Sequence, residues 1–337
     1  MNTQMSKDEL APLQPWDLLP SQALLRLFSP GDLGRRLSIL IYHRVYLQQD
    51  AIFPNESTAE VFDRQIRLLT ACFQVMPLGE AIEGLRSGKL PPRAACITFD
   101  DGYADNVEIA LPILQKYGIR ATFFVATRFL DGGRMWNDTV IELIRRAPGE
   151  ILDLSRIGLG RFEIKSIPQR RQVIHHLLHE LKYLPLESRQ SAVEAMCALI
   201  PAVLPNNLMM TSDQLRELHN SGMEIGAHTA SHPILARMEN NAASADIAIG
   251  KEVLEGIIRA RVRFFAYPNG KPGRDYLPDH VTMVKKLGFD AAVSTARGAA
   301  GKESDPYQLP RFTPWDRRPI RFAFRMAQNM RTAVETV

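Results

Sequence analysis

Short apolar runs alternate with helical patterns along most of this chain, and that alternation limits the fold more than any other feature. The runs SILIYH (Ser38–His43), AACITF (Ala94–Phe99) and TFFVA (Thr122–Ala126) read as buried strands, as do Met223–Ala227, Arg263–Tyr267 and Ala291–Ser294. Between them lie helical patterns. Residues 59–73 place Val61, Phe62, Ile66 and Leu69 on one face. Residues 104–117 stop at Gly118, residues 212–221 at Gly222 and residues 280–287 at Gly288, and residues 242–259 form another. Ser212 and Asp213 offer a helix cap. Continuous apolar strands alternating with helices predict an α/β fold: a parallel sheet with helices outside. Residues 129–210 break the rhythm. They show no clear strand, only helical segments near 138–146 and 171–183, and read as a mostly helical insertion. Residues 1–36 form a proline-containing lead-in and residues 317–337 a basic helical tail.

Composition excludes several classes. A chain of 337 residues, 45% hydrophobic and 23% charged, can bury a large core. The net charge of +4 is small, and Lys and Arg are scattered, with modest clusters at Arg35-Arg36, Arg170-Arg171 and the tail. No nucleic-acid partner is therefore expected. Three distant cysteines, Cys72, Cys96 and Cys197, make no disulfide framework and read as mostly buried thiols. No apolar run is long enough for a transmembrane segment, and the N-terminus lacks the basic-then-apolar pattern of a secretory signal, so a cytoplasmic location is expected.

In parallel folds chemistry gathers at the C-terminal ends of strands. Three motifs sit there. Thr98-Phe99-Asp100-Asp101-Gly102 places two carboxylates on a sharp turn, where their repulsion calls for a cation or donors. His228-Thr229-Ala230-Ser231-His232-Pro233 puts two imidazoles four residues apart, able to converge on one ion. Together they offer two imidazoles and one carboxylate to a metal with open positions, plus a second carboxylate as base. Tyr267-Pro268-Asn269-Gly270 ends another strand in a rigid turn whose backbone N–H groups could meet an oxyanion.

TFDDG, then H-T-x-x-H, then F-x-x-P-x-G, in this order on a strand–helix alternation, resembles the polysaccharide deacetylase family, whose members share the NodB homology domain. The resemblance covers residues 37–127 and 211–315, within a domain of residues 37–316. It implies a distorted (β/α) barrel with seven or so parallel strands. It implies a hydrolase that removes N-acetyl groups from amino sugars of a poly- or oligosaccharide and releases acetate. Asp101, His228 and His232 would hold one divalent ion, Zn2+ foremost, with Co2+, Ni2+, Mn2+ or Fe2+ as alternatives. Asp100 would be the base and the Tyr267 backbone the oxyanion donor. Tyr42, Pro268, Asn269, Gly270 and Arg311 are the expected substrate contacts. Many members carry an arginine directly after the phenylalanine of the third motif, tethering the base. Here that position is Ala266, which leaves open whether Arg263 takes its place. Many also carry a C-terminal histidine as general acid, and none follows His280 here. Ile41-Tyr42-His43-Arg44-Val45 with Leu309-Pro310-Arg311-Phe312 resembles the branch that includes poly-N-acetylglucosamine deacetylases, in which the early histidine, His43, would be the acid. Two rivals remain: a small-molecule amidase of this fold, allantoinase-like, and an inactive glycan-binding homologue.

Overall fold

The computed structural model describes residues 35–337, apart from Trp315, Arg317 and Arg318. Nearly all of the lead-in, and those two tail arginines, lie outside the described residues. Strand β1 (Leu37–Tyr42) runs parallel to β3 (Ala94–Phe99), in register from Leu37 opposite Ala94 to Tyr42 opposite Phe99. Both are buried along their whole length, as expected of strands covered on two faces. The sheet continues through β4 (Thr122–Val125), β7 (Glu224–Ala227), β8 (Phe264–Ala266) and β9 (Ala291–Val293), every pair parallel. A seventh strand, β2 (Gln74–Val75), was not apparent in the sequence. It pairs with Ala94 and Ala95 of β3, ahead of the point where β4 takes over at Thr98.

The strand order β1-β3-β4-β7-β8-β9 would leave two free edges. The segment Leu309–Phe312 closes them. Leu309 N–H donates to Ala292 O at 3.0 Å and Ser294 N–H to Leu309 O at 2.8 Å, on the β9 side. Phe312 N–H donates to Ile39 O at 2.7 Å and Ile41 N–H to Phe312 O at 3.0 Å, on the β1 side. The result is the expected distorted barrel, with a proline-containing seam as its last wall.

Helix α1 (Ala59–Cys72) buries Val61, Phe62, Ile66 and Leu69 and is capped by Thr58. Helix α2 (Leu78–Ser87) follows β2. The helix expected over 104–117 is two pieces: a π-helical turn over Asn106–Ala110, then α3 (Leu111–Lys116). Such turns recur at functional sites, and this one begins four residues after Gly102. Helix α7 (Ser212–Asn220) is capped by Thr211 with Gln214 in a reciprocal box, one residue before the expected cap. Helices α8 (Asn240–Ile258) and α9 (Pro278–Lys286) complete the outer layer.

The insertion holds α4 (Trp136–Arg146), α5 (Ile167–Lys182) and α6 (Leu186–Leu199). It also holds an unexpected antiparallel hairpin, β5 (Ile151–Asp153) with β6 (Arg161–Glu163). Strands of three residues are too short to show an alternation in sequence. The insertion has its own core, with Leu143, Ile144, Ile174, Leu177 and Met196 packed on Ile52. The tail is more than a basic appendage. Helix α10 (Pro319–Asn329) buries Phe322, Ala323 and Met326 in the main core, and the Asn329 amide accepts from and donates to the backbone of Gly298 at 3.0 and 2.8 Å. Cys72 and Cys96 are buried, whereas Cys197 is exposed.

Candidate active site

Strand β3 ends at Phe99, and the chain turns sharply through Asp100, Asp101 and Gly102. Asp101 adopts φ +80° and Gly102 φ +93°. A Cβ on Gly102 would stand 2.8 Å from Val125 Cγ1, so only glycine fits this turn. Of seven non-glycine residues with positive φ among the described residues, Asp101, Thr229, His232 and Asn269 lie at this one site. Backbone strain of that kind persists only where its surroundings enforce it.

The enforcement is visible at the histidine loop. His228 follows β7, and its Nδ1 lies 2.7 Å from Ala266 O. That bond assigns the proton to Nδ1 and leaves the Nε2 lone pair facing inward. The loop from Thr229 to His232 is pressed onto α8. Asp246 accepts from Ala230 N–H at 3.1 Å, Ser231 N–H at 3.0 Å and the Ser231 hydroxyl at 2.8 Å. A Cβ on Gly250, one turn along, would meet the Thr229 carbonyl carbon at 2.5 Å. Sequence reading missed Asp246. An acidic residue sixteen positions downstream, on a helix, carries no local sign of this role.

Asp101 Oδ1 lies 3.4 Å from His228 Nε2 and 3.3 Å from His232 Nε2. Two ligands at zinc-like bond lengths of about 2.1 Å, at a tetrahedral angle, stand about 3.4 Å apart. The buried Asp101 Oδ1 has no hydrogen-bond partner, a costly arrangement that a cation among the three side chains removes. The residues therefore fit a metal ion. Burial lowers the His232 pKa to about 4, which keeps its ring neutral and able to ligate at pH 7. Burial also opposes charge on His228, but Asp100 and Asp101 overcome it and raise its pKa. The field that would draw a proton there would equally draw a cation.

Asp100 is buried beside this set. Arg311 grips it with both arms of the guanidinium, Nη1–Oδ1 at 2.6 Å and Nη2–Oδ2 at 2.7 Å. Burial alone would raise the Asp100 pKa. Arg311 and His228 more than offset it, and the carboxyl is held below its ordinary value. Arg311 was expected to contact substrate. It is instead 1% exposed, with Nε also donating to Ser294 O at 2.9 Å. The seam thus supplies the tether that Ala266 cannot. Arg263 does not: it is exposed, and its Nε pairs with Asp290 at 2.6 Å on the outer surface.

His43 follows β1 and stands exposed, lining the cleft together with Asp101. Its carbonyl accepts from the Asn106 amide at 2.8 Å, while Asp105 accepts from Arg44 Nε at 2.7 Å and Val45 N–H at 3.2 Å. The cap and first residue of the π-helical turn, Asp105 and Asn106, therefore clamp the His43 loop to the Asp100–Gly102 turn.

The Tyr267 N–H, expected to face an oxyanion, donates to Val293 O at 3.2 Å as part of the sheet. Its ring is fully buried, stacked on Tyr276 at 3.9 Å. Of the Pro268-Asn269-Gly270 turn only Asn269 lines the cleft; Pro268 and Gly270 are buried and shape the turn. Tyr42 lines it too, with its hydroxyl bonded to Gln65 at 3.1 Å.

Two lobes meet at Asp101, Asn137 and Asn269. One, roughly 500 Å3, lies on the His43 side and includes Asp138, whose pKa burial pushes up to about 7 and whose carboxylate accepts from the Tyr103 hydroxyl at 3.1 Å. The other, roughly 320 Å3, lies under the insertion, walled by Trp136, Lys182 and Arg189.

The sequence profile of polysaccharide deacetylases matches residues 87–153 and 189–292, half of the chain, and passes over the middle of the insertion. The chain belongs to the polysaccharide deacetylase family. It is 23% identical over 278 residues to the protein YxkH of Bacillus subtilis, covering 82% of this chain and 70% of that one. It is 23% identical over 251 residues to the poly-beta-1,6-N-acetyl-D-glucosamine N-deacetylase of Staphylococcus aureus, covering 74% of this chain and 64% of that enzyme, which is less than two thirds of its length. Among solved structures, the Streptococcus pyogenes deacetylase PplD, in complex with acetate, matches with a TM-score of 0.58 at 18% identity, covering 89% of this chain and 100% of PplD. That likeness speaks for the fold.

Proposed function

We propose that this chain hydrolyses N-acetyl groups on the amino sugars of a poly- or oligosaccharide, with one divalent ion, zinc foremost, held by Asp101, His228 and His232. The observation that carries the reading is the buried, arginine-tethered Asp100 beside an Asp–His–His set of metal-binding spacing. Bound there, the ion supplies Lewis-acid polarisation of the acetamide carbonyl and acidifies water. The rest falls to side chains. Asp100, kept ionised by Arg311, takes the proton of the attacking water as the C–O bond forms. His43, at the mouth, gives a proton to the departing nitrogen as the C–N bond breaks. Asn269, which lines both lobes, steadies the carbonyl oxygen. The products are acetate and an amine that is cationic at neutral pH. The N-deacetylase activity of the Staphylococcus aureus relative on poly-beta-1,6-N-acetyl-D-glucosamine supports an N-acetylglucosamine polymer. Lobes on both sides of the site also suit a sugar chain better than a small cyclic amide.

The test is acetate release from N-acetylglucosamine oligomers by the zinc-loaded protein and by Asp100→Asn. Wild type should turn over. The variant should keep its metal and lose about two to four orders of magnitude in rate. No acetate from the loaded wild type, or an equal rate in both, would sink the reading.

A further inference from the structure

The two lobes that meet at Asp101 differ in charge. On the His43 side stand Glu56 and Asp138, and the guanidinium there, Arg44, is neutralised by Asp105 at 2.7 Å. On the insertion side stand Lys182 and Arg189, and Asp101 is the sole carboxylate among the described lining residues. Arg189 is buried. It lies over the Trp136 ring at 4.9 Å and donates to the Lys182 carbonyl at 3.2 Å, fixing the end of α5 that carries Lys182. The Lys182 ammonium pairs with no carboxylate at ion-pair distance among the described residues. Partial burial disfavours its charge, Asp275 offsets some of that, and Lys271 and Arg274 add repulsion. A half-dehydrated cation with further cations near it attracts an anion more strongly than a solvated surface lysine does.

We propose that the lobe under the insertion is a subsite for an anionic group, a phosphate or a carboxylate, carried by the acetylated sugar chain beside the reacting acetamide, with Lys182 as its cationic contact. The inference rests on the deacetylase reading of the site. Substrate then lies across a polarised cleft. The negative group sits under the insertion, and the amine released by hydrolysis is free to face Glu56 and Asp138 on the other side.

The experiment compares kcat/KM of the zinc-loaded full chain on three acetylated disaccharides. One is neutral, one carries a 1-phosphate, and one has a hexuronate as its second sugar. At low salt at least one anionic substrate should exceed the neutral one by about tenfold, with the advantage shrinking at high ionic strength. Which of the two gains identifies phosphate or carboxylate. In Lys182→Gln the ratio of anionic to neutral substrate should fall at least about fivefold, and in Lys182→Glu the preference should invert. Equal rates on all three in wild type, or an equal loss on all three in Lys182→Gln, overturn the proposal. Calorimetric binding of the same sugars to Asp100→Asn and to Asp100→Asn with Lys182→Gln gives a readout independent of turnover. Tighter anionic binding that depends on Lys182 supports the subsite even if no substrate is hydrolysed, an outcome that would remove only the deacetylase reading. An anion drawn to the metal alone would bind both proteins equally and count against it.

Discussion

Asp100 and Arg311 stand 211 positions apart in sequence and share two hydrogen bonds. The pair sets the ionisation of Asp100, the proposed base. With the guanidinium removed, burial remains, and burial raises the carboxyl pKa. A general base works above its pKa, so Arg311→Met should move the acidic limb of the kcat/KM profile to higher pH. It should also cost about 3–5 kcal/mol of unfolding free energy at pH 7, the usual result of stranding one half of a buried pair. The depressed pKa adds stability that is present above the unfolded value of about 3.9 and is lost as pH falls through the folded value. Wild type should therefore lose this increment on acidification below about pH 4, and the variant should lack it from the start. Urea unfolding at pH 7 and pH 3.5, with a pH–rate profile, checks both; an unmoved acidic limb would count against the tether. None of this was legible locally. Asp100, Asp101, His228 and His232 announce themselves by adjacency or by four-residue spacing. Arg311 sits in Leu-Pro-Arg-Phe, where nothing nearby says what its charge answers.

Among the elements, two connections deserve direct tests. Asp246 on α8 holds three donors of the histidine loop. Asp246→Ala should leave the helical content unchanged by circular dichroism yet weaken metal affinity about 10–100-fold, the usual cost of losing an outer partner of a metal ligand. Equal metal affinity would show that packing on Gly250 alone sets the loop. At the end of β1, His43→Gln should cut hydrolysis of an N-acetyl amide about a hundredfold or more while largely sparing an aryl acetate, whose leaving group needs no proton. An equal loss on both would reassign His43 to positioning. The strands were legible because strands buried on both faces read as unbroken apolar runs. The hairpin of β5 and β6 was not, since three residues cannot carry a period. Nor was the π-helical turn, because Asn106–Ala110 differs from an ordinary helix only in which carbonyl each N–H finds. The Tyr267 amide was misjudged for a related reason. Its strand was read correctly, but pairing with Val293 depends on register, which one strand alone does not specify.

For the whole molecule, the Asp101–His228–His232 set, the proposed metal site, joins the end of β3 to the end of β7 across the insertion. An ion that binds only the folded chain stabilises it by about 2.7 kcal/mol at a hundred times its Kd. Chelation should therefore lower the melting midpoint by about 4 °C for a chain of this size. The His228→Ala, His232→Ala double variant should melt at one temperature with or without chelator, and a chelator effect that survives in it would place the ion elsewhere. No helix among the described residues is long and apolar enough to cross a membrane. The barrel was legible only through the ordered motifs, because strand order 1-3-4-7-8-9 looks open until residues 309–312 are seen to fill the gap. That seam bears on the birth of the protein. A ribosome delivers residues 101, 228 and 232 well before residue 311. A nascent or clipped chain without residue 311 leaves Asp100 without its arginine, and the burial that raises its carboxyl pKa loses its main counterweight. Chain closure and the arming of the base are one event, so a molecule that has not finished folding is not yet a hydrolase.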